Sequence, residues 1–100
     1  MTSYRETTFR EHARITILRF LEDAPRYTSN LSVLGALLPQ YGLEMTRDQI
    51  RGELAWLAEQ GLIATEEAAG LVIATATVRG VEVAQGIARH PGVRRPGPRA

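Results

Sequence analysis

A chain of 100 residues with 44% hydrophobic and 23% charged types has the length and composition of a single globular domain, since folded units commonly run ~50 to 200 residues. It holds no cysteine, which excludes disulfides, thiolate nucleophiles and cysteine-based zinc sites. No apolar run approaches the ~18 to 20 residues that span a bilayer, and the expectation is a soluble, cytoplasmic protein.

The net charge of +1 conceals an asymmetry. All twelve basic residues are Arg. Four of them, Arg89, Arg94, Arg95 and Arg99, follow residue 88, where no acid occurs. Residues 1–88 set eight arginines against eleven acids, a formal −3. A domain that grips polyanions through a general basic face is not built this way, and the C-terminal segment suits that task better.

Two nested capping boxes, Ser3-x-x-Glu6 and Thr8-x-x-Glu11, predict a first helix over residues 4–23. Phe9, Ala13, Ile17 and Leu21 recur every four residues and, with Phe20, mark the face that meets a core. Ile15 and Leu18 fall off that stripe. An apolar arc so wide points to a homodimer contact, shared with Ile87 of the last helix. Pro25 ends the helix, because the residue before a proline is pushed out of α geometry.

A second helix is expected from Ser29 or Asn30, carrying Leu31, Leu34, Leu37 and Leu38, frayed by Pro39 and stopped by Gly42. The third begins at Thr46 with the sharpest local signature in the chain. Thr46 is the N-cap, Gln49 completes its capping box, and Met45 and Ile50 form a hydrophobic staple. Ile50, Leu54 and Leu57 face inward. Asp48, Gly52, Ala55 and Glu59 form the outermost face, where Gly52 reads as a place of close approach by another backbone or a groove wall.

After Gly61 the apolar period changes from 3.6 to 2. Residues 62–67 and 71–75 read as two strands joined through Ala68-Ala69-Gly70. A last helix opens at Thr77 and is expected to run to Arg89, burying some of Val81, Val83, Ala84 and Ile87. The domain is assigned to residues 1–90. Residues 91–100 read as a Pro/Gly/Arg tail unable to bury enough apolar surface to order itself.

The order helix, helix, turn, helix, hairpin, helix resembles an α+β winged helix-turn-helix domain: three helices, a two-stranded wing and a C-terminal helix. Thr46–Ile63 resembles the recognition-helix-plus-wing segment of bacterial winged-helix regulators, in which a capped helix ends in Leu-x-x-Leu-x-x-x-Gly-Leu. Thr77-Val78-Arg79-Gly80 resembles the Thr-x-x-Gly that opens the helix after the wing. Residues 7–96 as a whole, including Gly92-Val93-Arg94-Arg95-Pro96, are similar to short winged-helix proteins of Mu-like prophages.

That resemblance implies sequence-specific binding of double-stranded DNA in transcriptional control. It assigns base contacts to Arg47, Gln49 and Arg51 and a phosphate to Thr46 at the helix N-terminus. Arg94 and Arg95 of the tail would add phosphate contacts. Asp48, Glu59, Glu66 and Glu67 sit poorly beside phosphates. They favour the alternative, a protein-binding adaptor that docks a partner on Asp48, Gly52, Ala55 and Glu59. Trp56 reads as a half-buried packing or dimer residue. Tyr4, Tyr27 and Tyr41 are scattered and define no stacking surface. His12 and His90 have no ligand or triad spacing, and Glu66-Glu67 points to opposite faces of a strand. The chain is not expected to be an enzyme or to hold a metal or cofactor.

Overall fold

The computed structural model describes residues 3–97. Their elements run α1 (Tyr4–Asp23), a 3₁₀ turn (Pro25–Tyr27), β1 (Thr28–Asn30), α2 (Leu31–Leu37), a second 3₁₀ turn (Leu38–Tyr41), α3 (Arg47–Glu59), β2 (Ile63–Ala68), β3 (Leu71–Ala76) and α4 (Val78–Gln85). The three strands form one antiparallel sheet in the order β1-β3-β2. The architecture is a compact α+β domain of four α-helices and a three-stranded antiparallel sheet.

The helix caps follow from the residues at each start. Ser3 caps α1 by accepting from the Glu6 N–H, whereas Thr8, expected to open a second box, lies inside the helix and donates to the Tyr4 carbonyl. Asn30 caps α2 by accepting from the Val33 N–H. Thr77 caps α4 by accepting from the Gly80 N–H. Each such cap satisfies a backbone donor that helix geometry leaves without a partner.

Ile17, Leu18 and Leu21 of α1 meet Leu34 of α2, Leu54 and Leu57 of α3, and Leu62, all at most 1% exposed. Strand β3 turns Val72, Ala74 and Ala76 into this core by simple alternation. Strand β2 differs: it lies at the sheet edge, and from Ala64 to Ala68 every residue is exposed. The hairpin turn places Ala69 and Gly70 at φ +53° and +77°, the left-handed pair that a two-residue hairpin connection requires.

Three boundaries depart from the sequence reading. Strand β1 was not foreseen. Its three residues pair with β3 from Thr28↔Thr75 to Asn30↔Ile73, and two facing threonine hydroxyls join at 2.9 Å. Helix α4 stops at Gln85 rather than Arg89, because Gly86 adopts φ +80° and its N–H bonds back to the Glu82 and Val83 carbonyls. Ile87 consequently lies beyond the helix and is 73% exposed, not buried.

The third departure is the tail. Arg14 Nη1 donates to the Gly92 carbonyl at 2.9 Å, and the Arg94 N–H donates to the Glu11 carbonyl at 3.3 Å. Residues 91–97, expected to stay loose, are laid across α1 and α3, and Val93 packs against the core. Pro98, Arg99 and Ala100 of the expected tail lie outside the described residues. No helix among the described residues is long and apolar enough to cross a membrane.

Candidate functional site

Helix α3 is fixed from inside by Ile50, Leu54 and Leu57, each at most 1% exposed, so its opposite face must meet solvent. Its first turn is closed by both halves of a capping box. Thr46 Oγ1 accepts from the Gln49 N–H at 3.1 Å, and Gln49 Oε1 accepts from the Thr46 N–H at 2.8 Å. The Gln49 carbonyl oxygen is therefore committed to the cap, and its amide N–H groups remain to contact a ligand. Arg47 is exposed and lines a crevice of about 290 Å³ between α2 and α3, together with Ser32, Gly35 and Met45.

Arg51 does not stand free. Its Nη1 meets Glu67 Oε1 of β2 at 3.0 Å, with the two side chains 44% and 66% exposed. Helix α3 and the hairpin are thus tied by one ion pair across a shallow groove of about 370 Å³. Asp48, Gly52, Ala55 and Glu59 are all exposed along the outer face, as the helical wheel predicts. The close approach inferred at Gly52 has no counterpart within the chain: a Cβ there would meet nothing within 4 Å.

The six residues assigned to DNA fall in two places. Thr46, Arg47, Gln49 and Arg51 share the N-terminal half of α3. Arg94 and Arg95 instead line a cavity of about 330 Å³ against α1, beside His12 and Arg19, to which no α3 residue contributes. The tail does not bring its arginines to the α3 groove.

The assigned dimer residues need correction. Leu18 is fully buried and Ile15 is 5% exposed, both inside a single chain. Leu18 lies beneath Gly80 of α4, and residues 94–97 line the same cavity as Ile15. The wide apolar arc of α1 is consumed by α4 and the tail, leaving Ile87 as the one member of the expected set that faces solvent.

Sequence reasoning missed the most organised polar cluster in the domain. Glu53 of α3 is 7% exposed. Arg14 Nε reaches its Oε1 at 2.5 Å, and Arg10 Nε lies 3.9 Å from Oε2. The Arg14 guanidinium carbon lies over the Trp56 ring, 3.8 Å from its centroid, where a cation is attracted by the ring face. His90 meets Trp56 edge-on at 5.8 Å between centroids, and its Nε2 lies 2.9 Å from Gln60 Oε1. Gly92 completes the set at φ +88°, where a Cβ would come within 2.9 Å of the indole. One signal was available: residue 53 shares the inward face with 50, 54 and 57, so a glutamate there needed a cationic partner from another element.

Neither His12 nor His90 joins a metal-binding group, since no cluster of three His, Cys, Asp or Glu exists among the described residues. What the α3 surface offers is recognition chemistry: one capped helix end, two arginines, one amide and an acidic rim.

No family model matches the chain. It is 46% identical over 90 residues to "Uncharacterized protein gp26" of Escherichia phage Mu, an alignment covering 90% of this chain and 93% of that protein. It is 39% identical over 67 residues to an "Uncharacterized protein" of Haemophilus influenzae, covering 66% of this chain and 65% of that one. With so much of both sequences aligned to the phage protein at that identity, the chain belongs to the family of phage Mu gp26.

Proposed function

We propose that this protein is a winged-helix module that binds double-stranded DNA with sequence preference, in transcriptional control, using the N-terminal half of α3 as its reading element. The observation that carries the reading is the exposure of Arg47, Gln49 and Arg51 on one capped helix whose other face is anchored in the core. An α-helix is ~10 to 12 Å across, which fits the ~12 Å major groove of B-DNA. The chain order, helix α2 before α3 and the hairpin β2–β3 after it, supports this reading, since it is the order expected of a helix-turn-helix with a wing.

The Arg51–Glu67 pair is compatible with that role because it is cheap to break. Ion pairs as exposed as this one contribute ~0 to 1 kcal/mol, whereas a bidentate arginine–guanine contact discriminates by ~1 to 3 kcal/mol. Glu67 would hold the guanidinium in place until a base edge replaces it. Selection of a consensus from a random duplex pool, followed by anisotropy titrations, tests this. Arg51→Ala is expected to weaken the selected site by ~1 to 3 kcal/mol. Glu67→Gln is expected to strengthen it by up to ~1 kcal/mol, as the competing carboxylate is lost. Parental affinity in both variants refutes the assignment.

A second reading is favoured by the acidic rim. Asp48, Glu59, Glu66 and Glu67 are all exposed around the small-residue strip of Gly52 and Ala55, a surface suited to a basic protein partner. Under that reading the duplex pool yields no consensus, and Gly52→Arg abolishes partner binding without unfolding the domain.

A further inference from the structure

Tyr4 and Tyr41, scattered in sequence, are brought to the walls of one groove. It is open, about 770 Å³, and lies between the first half of α1 and the chain after α2, with Arg5, Phe9 and His12 on the same walls. Both tyrosines are held in solvent, 89% and 64% exposed. The groove adjoins the 330 Å³ cavity described above, and His12 and Tyr41 line both. Beyond them the walls carry Arg19, Phe20, Arg94 and Arg95. The result is a continuous trough along the flank of α1.

Its chemistry is distinct from that of the α3 surface. The ion pairs among the described residues engage Arg10, Arg14 and Arg51, leaving Arg5, Arg19, Arg94 and Arg95 to face the trough. Asp23, at the far end, is the acid on its walls. Aromatic rings and cations share its walls, and no residue of α3 or the hairpin contributes. Cations match a phosphate backbone, and ring faces match bases that have left a duplex stack. A paired duplex keeps its base faces covered and cannot use such rings. Helix α1, 20 residues long, is ~30 Å from end to end, room for a short single-strand site of four or more nucleotides (sites of ~4 to 16 are typical).

We propose that this trough is a binding site for single-stranded nucleic acid, with Tyr4 and Tyr41 stacking bases and Arg19, Arg94 and Arg95 tracking phosphates. It is independent of the duplex-reading role proposed for α3. The test is an anisotropy titration of a labelled oligothymidylate of about twelve nucleotides, within the usual range of single-strand sites, against the full chain and against a random duplex of equal length. The single strand is expected to bind at least about tenfold more tightly than the duplex, and Tyr41→Ala to lose about tenfold, the scale of one stacked base. Tyr4→Ala provides a second exposed variant with the same expectation. Arg94→Ala with Arg95→Ala is expected to reduce the slope of log affinity against log salt by about 1.4, at ~0.7 per phosphate contact. Arg51→Ala is expected to leave single-strand affinity unchanged, so failure of either proposal is distinguishable from failure of the other. Single-strand affinity unchanged in both Tyr41→Ala and Tyr4→Ala overturns the inference, whatever duplex affinity α3 supplies. Displacement of the oligonucleotide by a polyglutamate peptide of equal charge also overturns it, and assigns the trough to an acidic protein segment.

Discussion

Replacing Glu53 by alanine removes the carboxylate that Arg14 grips at 2.5 Å and Arg10 approaches at 3.9 Å. The Glu53 and Arg14 side chains are 9% and 12% exposed, so the screening that reduces surface pairs to near nothing does not apply. A buried pair stripped of one partner loses ~3 to 5 kcal/mol, because the remaining charge is left uncompensated. Arg14 retains the Gly92 carbonyl and the Trp56 face, which sets the expectation at the lower end, about 3 kcal/mol. Glu53→Gln keeps the shape and an acceptor oxygen, and is expected to lose ~1 to 2 kcal/mol, the difference between a charge-assisted and a neutral hydrogen bond. Urea unfolding followed by fluorescence measures both. Trp56, the sole tryptophan of the chain, sits inside the cluster and reports on it directly. The midpoint should fall at constant slope, and Glu53→Ala should lower Tm by more than about 10 °C in a domain of this size. A Glu53→Ala protein within about 1 kcal/mol of the parent, at unchanged slope, refutes the view that this pair fastens α3 to α1.

Gly80→Ala should prevent folding outright, because its Cβ would land on the Leu62 carbonyl oxygen where α4 crosses the start of β2; circular dichroism of the purified variant decides it, and a native-like spectrum refutes the packing. Gly52→Ala should stabilise the domain by ~0.5 to 1 kcal/mol in urea, since the residue is exposed in mid-helix with open space around it. The same substitution should weaken whatever docks on the outer face of α3, so a gain in stability with unaltered binding removes that face from the site.

Much of the scaffold was legible because it rests on local chemistry. The Thr46–Gln49 capping box, the left-handed stop at Gly42 and the alternation of β3 each involve residues within a few positions of one another. Strand β1 was not legible: three polar residues carry no alternation, and they are strands only because β3 lies beside them. Helix α4 was read too long because Gly86 can sit within a helix or end it, and only its positive φ decides. The α3 site was legible in its residues but not in their commitments. Nothing local announces that Arg51 meets Glu67, 16 positions away. Arg94 and Arg95 were found as cations and misplaced as a free tail, since their position depends on Gly92 meeting Trp56 and Arg14.

The bond from Arg14 to Gly92 spans 78 positions in the chain. During synthesis the first helix leaves the ribosome long before that partner exists, and chains emerge at only ~5 to 20 residues per second. For several seconds α1 carries an arc of leucine and isoleucine that nothing yet shields, a hazard for self-association and an opening for chaperones. Contacts so remote in sequence also slow the final closure, because a long loop must be drawn in before they are rewarded.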